Sequence, residues 1–411
     1  MLEGAPDAPA SSDAYWNLPT VSEVSTRRPR VYLHVGAPKT GTTYLQDVLW
    51  NNRDALRRAG VLYPGLSKDA QFHAVMDLQR SNFQEHLNPA VPGAWERLVG
   101  QARAWRGDVV LSHELFSMVD GPVARTALEH LSWADVHVVL TARDLTRQLP
   151  AVWQEDIKNR QVLTFAEFTR ELSAPGPAAH YLANLFWRMQ DVPRVLDTWT
   201  AELPADRVHL VTVPPSGAPA GELWARFSRA TGIGANTCAL EEPVESNRSM
   251  GIAETNLLRR LNVIMGDTLE LPAYDVLVKD FLALSVMGGR ESSTPLRLPD
   301  SESDWVHERS RQMVDTISRR DYQIIGDLTD LVPPAAPDAG RHPDDVSDVE
   351  LLDTAVHALV GMLHWASDHT PQRQPGWRRR AIRISQRNAA LRQLRRHYLA
   401  AKALRGTYRI R

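Results

Sequence analysis

Lys39, set between Gly36 and Gly41 and followed by Thr40, Thr42 and Thr43, is the residue in this chain best placed for chemistry. One ammonium group, three hydroxyls and a backbone freed by two glycines suit an oxyanion such as a phosphate. The glycines of Gly36-Ala-Pro-Lys-Thr-Gly41 have the spacing of G-x-x-x-x-G-K-[ST], but no lysine follows the second one. Thr42 stands there, and Lys39 lies inside the turn. The residue that normally reaches the β- and γ-phosphates of a metal-bound triphosphate is therefore missing. A metal-free phosphate beside a leaving group fits the donors better.

Two other polar groups follow apolar runs in the same manner. Ser112-His113-Glu114 comes after Val109-Val-Leu111, and Arg143-Asp144 comes just after Val136 to Leu140. His113 and Glu114 are both candidate proton acceptors. The imidazole has the better-matched ordinary pKa, and a partly desolvated Glu114 is expected to titrate closer to neutrality. His34, His73 and His137 lack metal-ligand spacing with one another, so no metal site is read, and His34 and His137 are expected to be satisfied core histidines.

The elements around these residues follow from hydrophobic periodicity. Val31 to Val35 reads as a buried strand and Tyr44, Leu45, Val48 and Leu49 as the start of a helix, which puts Thr42 and Thr43 at its amino end with the positive end of its dipole. Gly60 to Pro64, Val109 to Ser112, Val136 to Leu140 and Arg207 to Val213 read as further strands, with helical patterns between them. That alternation predicts an α/β fold with a parallel sheet of about five strands. In such a sheet ligands bind beyond the carboxyl ends of the strands, so Lys39, Ser112 to Glu114 and Arg143 are expected to face one crevice.

The segment PKTGTTYLQ after a strand resembles the 5'-phosphosulfate loop of sulfotransferases that use 3'-phosphoadenosine 5'-phosphosulfate (PAPS), and residues 30 to 330 resemble bacterial members of that superfamily. The resemblance implies a P-loop-like sheet, and PAPS as sulfuryl donor for a hydroxyl or amine of a small-molecule or carbohydrate acceptor. It implies that Lys39 offsets charge on the bridging oxygen, and that Pro38, Thr40, Gly41, Thr42 and Thr43 shape the 5'-phosphate site. Arg143 matches the arginine that reads the 3'-phosphate. The serine that follows it in the family is Ala151 here, so Gln148, Arg147 or Gln154 would supply the missing donor. Glu114 or His113 would be the acceptor base, with Glu114 preferred. Asn247 and Ser249 resemble an Asn-x-Ser element near the nucleotide. The alternatives are an ATP-dependent phosphotransferase of the P-loop type and a non-catalytic binding protein that retains the fold.

Composition sets the outer limits. At 411 residues, with 43% hydrophobic and 23% charged residues, core size is not limiting, and a formal net charge of -2 gives no overall attraction to nucleic acid. One cysteine, Cys238, excludes an internal disulfide, and the amino end lacks a basic segment followed by an apolar one. A cytoplasmic protein is expected. Residues 1 to 28 read as a flexible leader, 29 to 335 as the α/β domain, 336 to 348 as a linker and 349 to 411 as a helical extension. From 372 onward there are thirteen lysines and arginines and no acids; Ile384, Leu391, Leu394, Tyr398 and Ala401 give this tail a heptad-like seam suited to a second copy or an anionic surface. The aromatic stretch 160 to 190 and the loop Gly288 to Asp304 are expected to wall the acceptor pocket and suggest an apolar or aromatic-faced acceptor.

Overall fold

The structure is a computed structural model that describes residues 27–80, 88–174, 180–201, 203–240, 249–288, 290, 292–332 and 340–369, with Ile384 and Gln393 beyond them. The basic tail otherwise lies outside the described residues. Two compact units are present. The first comprises Met1–Asp156, Leu163–Glu245 and Leu296–Asp345, and the second Ile157–Val162, Ser246–Pro295 and Val346–Arg411.

In the first unit β1 (Arg30–His34) is followed by α1 (Thr42–Asn51), α2 (Arg53–Arg58) and β2 (Val61–Leu62). Next come α3 (Ala70–Leu78), α4 (Ala94–Ala104), β3 (Asp108–Ser112), a short 3-10 turn at Glu114–Met118, α5 (Gly121–His130) and β4 (Asp135–Ala142). The path to β5 (Val208–Thr212) is long and runs through α6 (Leu145–Lys158), α7 (Phe165–Ser173), α8 (Tyr181–Gln190) and α9 (Val192–Thr200). α10 (Glu222–Thr231) follows β5; the second unit contributes α11 (Ile252–Met265) and α12 (Leu271–Tyr274), and α13 (Ser303–Ser318) then leads to β6 (Gln323–Ile325). α14 (Asp348–His369) closes the described chain in the second unit.

The strands form one sheet in the order β2-β3-β1-β4-β5-β6, and every pairing is parallel. Five strands coincide with the apolar runs of the sequence. β6 does not: it is three residues long and its first residue is exposed. Three residues are too few to establish a two-residue period. Alternation along the strands feeds two cores. Val31, Leu33, Val109, Leu111, Val138 and Leu140 pack with residues of α3, α4, α5 and α9 on one face. Tyr32, Val110, Val139 and Val211 pack with α1 and α10 on the other.

That division creates the crevice. α1 leaves β1 towards one face, whereas α5 and α9, which follow β3 and β4, cover the opposite face. The chain therefore parts above the carboxyl end of β1, between its two neighbours, where a doubly wound sheet binds ligands.

In the second unit, Glu254 is fully buried near the start of α11 and accepts hydrogen bonds from the Gly251 amide (3.1 Å), Ser293 (2.7 Å) and the Arg290 guanidinium (3.1 Å). Arg290 also bonds Thr354 of α14 at 2.7 Å and pairs with Asp353. A buried carboxylate satisfied this completely holds its unit together through charge-assisted bonds.

His34 lies at the tip of β1 with no exposed surface. Its Nδ1 is 2.7 Å from Ser112 Oγ on β3 and its Nε2 is 3.2 Å from Thr141 Oγ1 on β4. Burial lowers its pKa to about 4, with Glu114 opposing that shift. His137 and His209, stacked across β4 and β5 with ring nitrogens 3.0 Å apart, are also held below the ordinary histidine value, His209 to about 4, chiefly by burial. A depressed histidine contributes stability that is complete above its unfolded pKa and is lost as pH falls towards the folded value. The urea midpoint is therefore expected to fall as pH is lowered from about 6.5 towards 4. His34→Ala is expected to cost about 2–4 kcal/mol at neutral pH, from the orphaned Ser112 hydroxyl and a cavity, Thr141 keeping its bond to Gly36 O.

Candidate functional site

Residues Gly36 to Gly41 form the turn between β1 and α1, and the turn is pinned from below. The Ala37 amide donates to Thr141 O at 2.9 Å, the Thr141 hydroxyl donates to Gly36 O at 2.8 Å, and the Thr40 hydroxyl donates to Ala37 O at 2.6 Å while lying 2.5 Å from Thr141 Oγ1. Thr40 is 1% exposed, so its side chain serves the turn itself. Gly36 has φ +113° and a Cβ there would meet Glu114 O at 2.8 Å; the backbone of the β3 tip lies directly against the turn. Only glycine fits that position.

Lys39 adopts φ +64°, a left-handed conformation uncommon for a residue with a side chain. Its ammonium reaches Glu155 Oε2 on α6 at 3.1 Å. Gly41, also left-handed, precedes α1, and no side chain caps that helix. Its first amides and its positive dipole end are thus left to the turn. Thr42 is buried and Thr43 exposed.

Arg143 follows β4 and points to the same turn. Its Nη1 donates to Lys39 O at 3.3 Å, and its Nε is buried with no hydrogen-bond partner among the described residues. The neighbouring carboxylate is taken elsewhere: Asp144 accepts from Thr146, from the Arg147 amide at 3.0 Å and from Arg147 Nε. Arg147 further donates to Pro214 O at 2.9 Å, so it is a brace for the start of α6. Burial lowers the Arg143 pKa to about 10, with Arg147 adding to the shift and Asp144 opposing it; the group stays cationic at neutral pH.

Gln148 is 1% exposed and donates to Pro38 O at 2.5 Å and to Gln190 Oε1 at 2.8 Å. Gln190 in turn donates to the same Pro38 carbonyl at 3.1 Å. These amides hold the outer side of the turn. Gln154 is buried and Ala151 lies partly exposed on the same helix.

Beside the turn, Glu114 Oε2 accepts from Gln46 of α1 at 3.0 Å. Burial on its own would raise the Glu114 carboxyl, as the sequence suggested, but His113, the backbone amide and Gln46 hold it below its ordinary value. The expected rise is therefore reversed: charge and hydrogen bonds outweigh desolvation. Burial lowers His113, against the pull of Glu114. His113 Nδ1 accepts from the Leu115 amide at 3.2 Å, which places the proton of the neutral ring on Nε2.

Ser249 is exposed ahead of α11 in the second unit, whose cap is formed by Gly251 and Glu254. Asn247 lies outside the described residues. The turn, Arg143, Gln148, His113 and Glu114 are thus brought together in the first unit. Among the described residues no group of three or more His, Cys, Asp or Glu is arranged to hold a metal ion, and no helix is long and apolar enough to cross a membrane.

Three neighbours of the turn had no role assigned from the sequence: Gln46, which ends the PKTGTTYLQ segment, and Glu155 and Asp156, which no motif marks. Gln148 and Glu155 stand two helical turns apart and share a face of α6, a spacing that could have flagged Glu155. Burial pushes the Asp156 carboxyl up to about 7, with Glu155 adding to the rise and Lys39 opposing it. No protein-family model matches the chain, and neither a curated protein nor a solved structure shows detectable similarity to it.

An acid whose pKa is raised on folding loses stability as it ionises, the opposite sense to His34. The loss begins near the unfolded value of about 4 and is complete above about 7, so Asp156→Asn is expected to stabilise the chain modestly near pH 5 and more near pH 8, by about 4 kcal/mol at most. Paired chemical denaturation of both proteins across that range measures it.

Proposed function

We propose that the chain is a PAPS-dependent sulfotransferase acting on a hydroxyl or amine of a small-molecule or carbohydrate acceptor, with a P-loop-like turn as its nucleotide site. The observation that carries the reading is the pairing of two cations on one turn. Lys39 sits at its apex, and Arg143 lies against the Lys39 carbonyl with a buried Nε that has no partner among the described residues, while Asp144 is engaged by Arg147. Two cations at one turn suit a nucleotide phosphorylated at both the 5' and 3' positions. The uncapped amino end of α1 adds donors for the 5' group.

The donor fits the residues present. Lys39, Thr43 and the amides of Gly41 to Thr43 would hold its 5' end, and Arg143 its 3'-phosphate. Gln148, buried under Pro38, supports the turn and would act on the nucleotide through it. PAPS when bound supplies the sulfuryl group: the acceptor oxygen bonds to sulfur, the bond to the bridging phosphate oxygen breaks, and its electron pair leaves with the phosphate.

The chain's own part is positional and electrostatic. Lys39 stabilises charge at the leaving oxygen, and its ion pair with Glu155 keeps the ammonium over the turn when no anion is there. Glu114 is the base. It is held ionised, whereas His113 already accepts a hydrogen bond on Nδ1 from the Leu115 amide. Gln46 fixes the orientation of the carboxylate, and acceptance of the proton by Glu114 completes the transfer.

Thermal-shift measurements with 3'-phosphoadenosine 5'-phosphate (PAP), AMP and Mg-ATP test the reading. At about 100 times its Kd, PAP is expected to stabilise the chain by about 2.7 kcal/mol. AMP should shift it less and Mg-ATP not at all. Lys39→Ala is expected to abolish the PAP shift, and Arg143→Ala to reduce it to that of AMP. A shift with Mg-ATP but none with PAP would mark a phosphotransferase and sink the proposal.

A further inference from the structure

A cavity of about 660 Å³ opens among α7, α8, α9 and α13. Its size is that of a small-molecule site. Two of its helices also brace the proposed reaction centre: Gln190, at the end of α8, bonds Pro38 O at 3.1 Å, and Arg194 of α9 donates to Ser117 O, just past Glu114, at 3.5 Å.

The charges in this cavity do not cancel. Arg309 pairs with Asp191 at 2.7 Å, and Glu308 is taken by Arg311 at 3.2 Å and Gln312 at 2.9 Å. Arg188 and Arg194 are left. Arg194 donates to the carbonyls of Ser117 and Arg188, and among the described residues no carboxylate lies within ion-pair distance of either guanidinium. Burial lowers the pKa of Arg194 and the neighbouring charge of Arg188 lowers it further, against the pull of Asp191 and Asp120, so an anion between the two guanidiniums eases the repulsion that remains.

The remaining walls are aromatic. The indole N–H of Trp187 is spent on Leu172 O at 3.2 Å and that of Trp305 on Glu302 at 2.6 Å, so both rings offer surface and no free donor. Arg309 covers Trp187 at 4.9 Å from the ring centre. Indole rings pack against flat or ring-shaped ligands, and a guanidinium pair selects a carboxylate by forked hydrogen bonds.

We propose that this cavity is the acceptor pocket and that its occupant is a ring compound bearing a carboxylate, anchored by Arg188 and Arg194 and laid against Trp187 and Trp305. The word acceptor rests on the sulfotransferase reading; the acid site rests on the cavity. Two sources share that chemistry, a uronic-acid sugar and an aromatic acid.

The test is isothermal titration of the full-length chain with a glucuronic-acid disaccharide and with para-hydroxybenzoate, each beside its methyl ester. The same titrations are run on Arg188→Gln, and the PAP thermal shift is recorded for both proteins. Arg188 is exposed, so its replacement does not threaten folding. One acid is expected to bind below a millimolar, and esterification and Arg188→Gln are each expected to weaken it about tenfold. The PAP shift should be the same in both proteins. Equal binding of acid and ester, unchanged binding by Arg188→Gln, or no binding of either acid below a millimolar would each overturn the pocket, whatever PAP does. Acid binding of the expected kind without a PAP shift would overturn the acceptor role together with the PAPS reading, and leave the acid site standing.

Discussion

The buried hydrogen-bond cluster at the tips of β3, β1 and β4 is the constraint on which the rest of this structure depends. His34 joins Ser112 to Thr141, and Thr141 joins the Gly36 carbonyl to the neighbourhood of Thr40. Polar atoms in so dry a position are costly unless paired, and once paired they fix a single arrangement. The arrangement fixed here is the path of the turn. A chain held at Gly36, Ala37 and Thr40 must carry Pro38 and Lys39 outward, and the left-handed backbone at Lys39 follows from that path. The same cluster aligns Ser112, so Glu114, two residues on, arrives beside the turn against the bare face of Gly36.

Charge is arranged around the turn with equal economy. α6 supplies four of the relevant groups: Arg147 clamps Asp144 at its start, Gln148 braces Pro38, and Glu155 and Asp156 meet Lys39 further along. Because Arg147 occupies Asp144, Arg143 has no carboxylate partner among the described residues and is directed to the turn. Two adjacent arginines thus have opposite uses, one structural and one available to an anion. The competition between burial and hydrogen bonding is resolved differently at the two carboxyls nearest the turn. Gln46 and His113 keep Glu114 low, while Asp156, with a like charge beside it, is driven up.

The sequence was most legible where a residue type is forced by its position. The glycines at 36 and 41, the lysine between them and the apolar runs ending in polar residues marked five strands and the turn, because a buried parallel strand and a left-handed backbone tolerate few alternatives. β6 escaped because three half-exposed residues carry no period. The roles of Gln46, Glu155 and Asp156 escaped because an amide or an acid on a helix looks the same whether it faces water or a charged side chain. The direction of the Glu114 shift escaped for a related reason: desolvation can be guessed from a neighbouring apolar run, but the Gln46 amide that outweighs it comes from another element.

Residues 246–295 group with 346–411 and 157–162, a division that hydropathy along the chain did not draw, since it depends on which helix faces meet. By itself, the sequence determined the class of sheet, the location of the turn and the kinds of group that could meet an anion, since these follow from local sterics, periodicity and side-chain chemistry. Tertiary structure alone decided which arginine is unpaired, which histidine nitrogen holds the proton and which acids surround Lys39. Those properties are set by distances between segments far apart in the chain, and no local pattern encodes them.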